Sequence, residues 1–164
     1  MLKIVGILLI VASCSAIGIL QSRSYKLRAD GIKSFIDAFR IAKAEIVFKN
    51  TSVIDVYKSL EKQCTGMAKQ FFGSVICGDG LADNADMLEK LDNCQLQDPE
   101  KSEIAGILSV MGRYDSTNQA EMMDKNILHL EQLYTQAQND LIKNGKLSSA
   151  FGVTAGIVIA ILLL

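Results

Sequence analysis

The sequence contains four cysteines, which could form disulfides or bind zinc, and one histidine, which could bind zinc with them. They are Cys14, Cys64, Cys77, Cys94 and His129. No two cysteines have CxxC spacing, and the polar part of the chain holds an odd number of them, which argues against a disulfide framework. A zinc site built from those three cysteines would need His129 as its fourth ligand. We therefore interpret the cysteines as structural and His129 as a surface residue, and we expect no metal and no cofactor.

Acidic residues after Cys77 resemble the start of a calcium-binding loop. Asp79-Gly80-Leu81-Ala82-Asp83 supplies two carboxylates, but the glycine and the terminal glutamate of such a loop are misplaced. The sequence also has no nucleophile motif, no glycine-rich phosphate loop followed by lysine, and no paired-histidine metal motif. It therefore predicts a protein that is not an enzyme.

Charge is distributed unevenly along a chain whose formal net charge is only −1. This near-neutral balance gives no indication of nucleic-acid binding. The acidic residues in the middle of the chain are expected to form a solvated face, and they are Asp79, Asp83, Asp86, Glu89, Asp92, Asp98 and Glu100.

Two apolar runs without formal charge lie near the ends of the chain, at residues 4–20 and 147–164. As helices they would be about 26 and about 27 Å long, at the lower end of what a hydrocarbon core of about 30 Å requires. We predict a transmembrane helix in residues 1–20, a cytoplasmic helical domain in residues 21–146, and a second transmembrane helix in residues 147–164.

Basic residues follow the first apolar run and precede the second. Because the cytoplasmic flanks of membrane helices carry an excess of lysine and arginine, residues 21–146 should face the cytoplasm. Basic side chains beside a membrane also attract anionic lipid headgroups. The predicted headgroup contacts are Arg23, Lys26, Arg28, Lys143 and Lys146.

An alternative interpretation of the N-terminus is a lipoprotein signal. Val11-Ala12-Ser13-Cys14 resembles a bacterial cleavage box in which Cys14 becomes the lipidated first residue. Residues 15–20 continue the apolar run, whereas residues after a lipidated cysteine are usually polar, so the sequence favours a membrane helix. The alternative is a lipid-anchored, extracytoplasmic helical helper protein.

Two heptad-like seams predict a pair of long helices. Apolar residues recur at steps of three and four, a spacing typical of one helix lying along another. Because one helix leaves the first apolar run and the other leads into the second, the pair should be an antiparallel stalk with Phe39 and Leu130 buried between its helices. The two seams are Ile32, Phe35, Phe39, Ala42 and Ile46, and Met123, Ile127, Leu130, Tyr134, Ala137 and Leu141.

Shorter helices are predicted between the two seams, at residues 53–63, 66–77, 81–91 and 98–112. Ser52 with Asp55 resembles a capping box, and Asp98-Pro99-Glu100 is typical of a helix start capped by Asp98. No stretch alternates with period two, and no hairpin signal is present. The predicted fold is all-α, a helical bundle whose two long antiparallel stalk helices continue into N- and C-terminal transmembrane helices.

Small residues recur every four positions in the second apolar run, at Ser148, Gly152, Gly156 and Ala160. Such a stripe lets another helix backbone approach closely in a membrane, so these residues are a candidate membrane-helix interface. The partner would be the first span or another membrane protein, and a homo-oligomer is a further assembly that such a face allows. The alternative is that the glycines, which are common in membrane helices, have this spacing by chance.

Three short motifs resemble the stage III sporulation protein AB family of endospore-forming bacteria. They are Ala44-Glu45-Ile46-Val47-Phe48, Met111-Gly112-Arg113-Tyr114-Asp115 with Gln119, and Lys146-Leu147-Ser148-Ser149-Ala150-Phe151-Gly152-Val153. The opening residues and the size match too, so the resemblance covers the whole chain. Thr51-Ser52-Val53 departs from the family, which usually has proline shortly after the threonine.

The resemblance implies a component of the channel complex between mother cell and forespore. It also implies a soluble domain similar to the helical domains of the platform protein F of type II secretion. The implied partners are a cytoplasmic secretion-type ATPase, other sporulation channel membrane proteins and membrane lipid. The resulting hypothesis is a non-enzymatic membrane scaffold in the mother-cell membrane around the forespore, with its bundle facing the cytoplasm.

Overall fold

The computed structural model of the chain describes residues 2–49, 51–78, 80–111 and 116–145 and Thr154. In these ranges, the side chains of residues 2–12, 14, 15, 17, 48, 49, 116 and 117 lie outside the description. The described part is mostly helical, which confirms the predicted all-α class. Its elements are α1 (Leu2–Lys49), α2 (Val53–Gln63), α3 (Gly66–Val75), β1 (Ile76–Cys77), β2 (Gly80–Leu81), α4 (Asn84–Asp92), α5 (Asp98–Val110) and α6 (Ser116–Asp140), which continues as a π-helical turn (Leu141–Gly145).

The chain divides into two compact units. The terminal unit comprises Met1–Ala29 and Gln136–Leu164, and the central unit comprises Asp30–Thr135. The first predicted span lies within α1, and the second lies outside the described residues except for Thr154. Among the residues described, none of the helices combines the length and the apolar character that crossing a membrane requires. The predicted boundaries after residues 20 and 146 stay predictions.

In the central unit, α1 and α6 pair through the two predicted seams. All five seam residues of α1 are buried, and Phe39 and Leu130 are fully buried, as predicted. On α6, Met123 and Ile127 are also buried, whereas Tyr134 is partly exposed. Arg40 on α1 donates to Glu131 on α6 (2.6 Å), and Lys43 donates to Asp124 (2.6 Å). Residue numbers therefore rise along one helix as they fall along the other, so the helices run antiparallel in this unit.

An aromatic cluster joins α1 to α2 and α3. Phe35 and Phe39 of α1 contact Phe72 of α3 with ring centroids 6.2 and 6.3 Å apart, and Tyr57 of α2 meets the same ring at 5.3 Å. The Phe39–Phe72 and Tyr57–Phe72 pairs are edge-to-face, and such pairs contribute about 0.5–1.5 kcal/mol each beyond the area that they bury. Phe72 is therefore the residue around which the three helices pack.

A short hairpin corrects the expectation of a chain without strands. β1 and β2 pair antiparallel, with Ile76 opposite Leu81 and Cys77 opposite Gly80. Gly78 has a φ of +59°, a conformation that glycine adopts without steric cost, so α3 ends before the turn. The predicted helices 66–77 and 81–91 were therefore too long on the sides that face this turn.

Helix starts were predicted with mixed success. At α2 the Asp55 N–H donates to the Ser52 side chain (3.4 Å), which confirms Ser52 as the cap. The Asp55 carboxylate accepts from the Ser52 hydroxyl (2.6 Å), whereas in the predicted capping box it would accept from the Ser52 backbone N–H. At α5 the prediction that Asp98 is the cap was wrong, because Gln97 occupies that position and its N–H donates to the Glu100 carboxylate (2.8 Å). That contact leaves Glu100 fully buried instead of in a solvated face. The other described members of the acidic set, Asp83, Asp86, Glu89, Asp92 and Asp98, are exposed.

Candidate functional site

The cysteines and the histidine are dispersed in the structure. Cys64 is buried, Cys94 is partly buried and Cys77 is exposed, and all three are free thiols. His129 lies beside Glu103, with Nδ1 3.4 Å from a carboxylate oxygen. Within the described ranges, no group of three or more histidine, cysteine, aspartate or glutamate side chains could hold a metal ion.

Burial controls the acidity of the thiols that the structure encloses. Burial raises the pKa of the Cys64 thiol above its ordinary value, and the negative charge of Asp37 raises it further. Burial also raises the pKa of Cys94, an effect that Lys101 partly offsets, and the Cys94 thiol donates to the Lys90 carbonyl (3.6 Å). Both thiols therefore favour the protonated form, which is a poor nucleophile and a poor metal ligand.

A buried carboxylate connects α1 to α2. Glu45 is 6% exposed and accepts hydrogen bonds from the Ser59 hydroxyl (2.5 Å) and from Nε2 of Gln63 (3.2 Å). A buried charge is tolerated when such donors satisfy it, and it then favours one register of the two helices over others. The sequence carried a usable signal for its burial, because Glu45 follows Ala42 at the same three-residue step that relates other buried positions of α1.

In the terminal unit, the two ends of the helical domain lie side by side. Gly145 is buried, and a Cβ placed on it would lie 3.4 Å from Oγ of Ser22 and 3.2 Å from Cδ1 of Leu141. Ser22 follows the first apolar run by two residues, and Gly145 precedes the second by two. The residues that flank the two apolar runs therefore meet at one place.

Arg28 fixes the same pair of segments. Its guanidinium lies 3.1 Å from the Asp140 carboxylate, and its side chain is only 12% exposed. Ser22 lies beside Gly145, and six residues later Arg28 pairs with the earlier residue Asp140. The two segments therefore run antiparallel in the terminal unit too. Arg28 thus differs from the other described residues predicted to contact headgroups, because a carboxylate of the same unit already neutralises its charge.

Three other basic residues of the terminal unit whose side chains are described are exposed among apolar side chains. Arg23, Lys26 and Lys143 are exposed, and in the described part of the chain no ion pair involves any of them. Leu20 is 63% exposed, Leu27 49% and Ile142 57%. We call these six residues the collar. Lys146 and the stripe of Ser148, Gly152, Gly156 and Ala160 lie outside the described residues, and their predicted roles stay predictions.

Two comparisons with known proteins match the chain to the same family. Residues 3–164 match the family model described as Stage III sporulation protein AB. The chain is 24% identical over 173 residues to the protein named Stage III sporulation protein AB from Bacillus subtilis (strain 168), with all of both chains covered. No solved structure matches the chain.

Proposed function

The chain belongs to the stage III sporulation protein AB family, and we propose that it serves sporulation as a non-enzymatic membrane scaffold. The two apolar runs would anchor it in the mother-cell membrane around the forespore. The helical part between them would face the cytoplasm and hold a secretion-type ATPase next to other channel membrane proteins. A role in sporulation follows from the family, while the scaffold and its partners are our proposal.

The contact between Ser22 and Gly145 carries the anchoring part of this proposal. The uncharged run of 17 residues ends two residues before Ser22, and the uncharged run of 18 residues begins two residues after Gly145. A chain that starts both runs from one place can insert both into the same bilayer without separating its paired helices. Exposed basic residues beside this place agree with a cytoplasmic face, since lysine and arginine accumulate on that side of membrane helices.

The α1–α6 pair supports the scaffold part. Ion pairs and a mostly buried seam hold the two helices together in the central unit, and the aromatic cluster attaches α2 and α3 to α1. Such an arrangement is suited to presenting helix surfaces at a fixed place. The choice of the ATPase and the channel proteins as partners rests on the family resemblance.

Protease accessibility tests the proposed topology. A protease added to protoplasts of non-sporulating cells that express the chain in the plasma membrane should leave residues 21–146 undigested, and the same protease should digest them after detergent permeabilisation. Digestion from outside intact protoplasts would contradict the cytoplasmic assignment. The intact mass of the membrane-extracted chain gives the second control, because a diacylated chain that starts at Cys14 would instead support the lipid-anchored alternative.

A further inference from the structure

We propose that the collar binds the headgroups of anionic phospholipids. This inference rests on the membrane anchoring in the proposed function and names the lipid class that the anchored end recognises. The ligand is a phosphate-bearing lipid in a bilayer. Free phosphate could pair with the three basic residues of the collar but would leave its three apolar residues in water.

The collar mixes apolar and basic side chains on one helix face. Leu20, Arg23 and Leu27 follow one another at steps of three and four residues on α1, so their side chains share a face. All three are exposed, and Lys26 lies three residues after Arg23. Exposing Leu20 and Leu27 to water gives no gain in free energy. A face that alternates them with Arg23 therefore fits a surrounding that offers both apolar and charged contacts.

The second segment repeats the combination. Ile142 is 57% exposed and Lys143, its neighbour, is also exposed. Both belong to the π-helical turn that follows α6, three and two residues before Gly145. The Gly145 contact with Ser22 therefore places this apolar and basic pair close to the α1 face of the collar.

The interfacial layer of a bilayer fits this surface better than water or protein does. Leucine and isoleucine side chains can enter the boundary between headgroups and acyl chains, while the long stems of arginine and lysine place their charges at the phosphate level. Asp140, the carboxylate of this unit that could neutralise the collar, is paired with Arg28. Three cations then remain for lipid phosphates, and anionic lipids attract such clusters.

Tryptophan fluorescence can locate the collar, because the chain contains no tryptophan. We would reconstitute the full chain as Leu27→Trp into vesicles of phosphatidylcholine with phosphatidylglycerol, carrying bromine on the acyl chains of one lipid or the other. Leu88→Trp is the matched control, since Leu88 in the central unit is as exposed as Leu27, at 49% each. The collar variant should be quenched severalfold more than the control, and more by brominated phosphatidylglycerol than by brominated phosphatidylcholine.

Charge removal then tests the anionic preference. Arg23→Gln, Lys26→Gln and Lys143→Gln together should abolish the difference between the two brominated lipids for Leu27→Trp. The control set Lys62→Gln, Lys69→Gln and Lys125→Gln removes three exposed charges of the central unit and should leave that difference intact.

The possible failures are distinguishable. If the chain does not float with the vesicles when they are centrifuged in a density gradient, the proposed membrane anchoring fails. If it floats but Leu27→Trp is quenched no more than Leu88→Trp, the collar inference alone is overturned. Equal quenching by both brominated lipids overturns the anionic preference. If the fluorescence of Leu27→Trp changes with protein concentration but not with bromine, lipid binding by the collar is overturned, and a second copy of the chain covers it instead.

Discussion

Glu45 fixes the position of α2 on α1 with a single buried carboxylate. Glu45→Leu keeps most of the volume but removes the acceptor of the Ser59 hydroxyl and one of the two acceptors of the Gln63 amide, which also donates to Oγ of Ser59. We expect a loss of about 1–3 kcal/mol in the free energy of unfolding, measured by denaturant titration of the detergent-solubilised chain. Glu121→Leu, at an exposed position of α6, should change it by less than about 0.5 kcal/mol. Equal effects of the two variants would contradict a buried hydrogen-bonded role for Glu45.

Phe39 tests the packing of the seam. Its side chain is fully buried and its ring contacts Phe35 and Phe72 at 6.0 and 6.3 Å. Phe39→Ala should lower the free energy of unfolding by about 3–5 kcal/mol, because it removes both the transfer energy and the cavity-lining contacts. Leu128→Ala is the control, since Leu128 is 55% exposed. A loss below about 0.5 kcal/mol for Phe39→Ala would place this side chain outside the core.

The three thiols of the described chain should react in the order of their exposure. A maleimide probe at neutral pH should label Cys77 first, because Cys64 and Cys94 are shielded and their raised pKa values reduce the thiolate fraction. Peptide mass spectrometry would measure the three rates. Labelling of Cys64 as fast as that of Cys77 would contradict the burial of Cys64.

Alkaline pH should destabilise the fold through the same groups. Burial raises the pKa of Cys64, Cys94 and Tyr57, so the unfolded chain loses these protons at a lower pH than the folded chain does. Their contribution to stability is complete below the ordinary thiol pKa and is lost as the pH rises above it. Unfolding free energies measured across this range should therefore fall, and Cys64→Ala should make the fall smaller. A slope that is unchanged by this substitution would mean that Cys64 does not contribute.

At the scale of elements, helix periodicity predicted the long helices, the buried seam of α1 and most of the seam of α6, where Tyr134 and Leu141 are partly exposed. Repeated steps of three and four residues average over many turns, so a local error does not displace the pattern. The hairpin between α3 and α4 was missed because each of its strands has two residues, too few to show alternation. The cap of α5 lies one residue earlier than predicted because Glu100 is three residues after Gln97, the spacing at which its carboxylate accepts the N–H of the cap residue.

The antiparallel pairing in the terminal unit has a direct test. Ser22→Cys with Gly145→Cys should form a disulfide on mild oxidation of the membrane-extracted chain, since the Gly145 Cβ position lies 4.0 Å from the Ser22 Cα. Ser24→Cys with Gly145→Cys is the matched control, because Ser24 is exposed and lies on another face of α1. A cross-link in the control that forms as fast as the first would contradict the pairing.

At the scale of the whole molecule, the sequence predicted part of the candidate site. Exposure of Arg23, Lys26 and Lys143 follows from their positions beside the apolar runs. The different position of Arg28 could not be predicted, because its partner Asp140 is 112 residues away and only the folded pairing brings them together. The exposed Leu27 and Ile142 were missed for a related reason, since periodicity identifies the buried face and leaves the chemistry of the other faces open.

The small-residue stripe provides a prediction about assembly. Gly152→Ile with Gly156→Ile should leave membrane insertion intact but prevent co-purification with the channel proteins, because bulky side chains would separate the packed helices. Val153→Phe with Ile157→Phe adds volume off the stripe and should preserve assembly. If the glycine variant still co-purifies with its partners and supports spore formation, the stripe is not an interface.

The central claim is that this chain acts by holding other proteins at the membrane. Residue-level cross-linking of the intact membrane complex from sporulating cells tests it most directly. We expect exposed lysines of the central unit, among them Lys62, Lys69 and Lys125, to cross-link to the cytoplasmic ATPase, and residues near the apolar runs to cross-link to other channel membrane proteins. Central-unit lysines that cross-link only within the chain, while the ATPase is captured by other proteins, would contradict the scaffold.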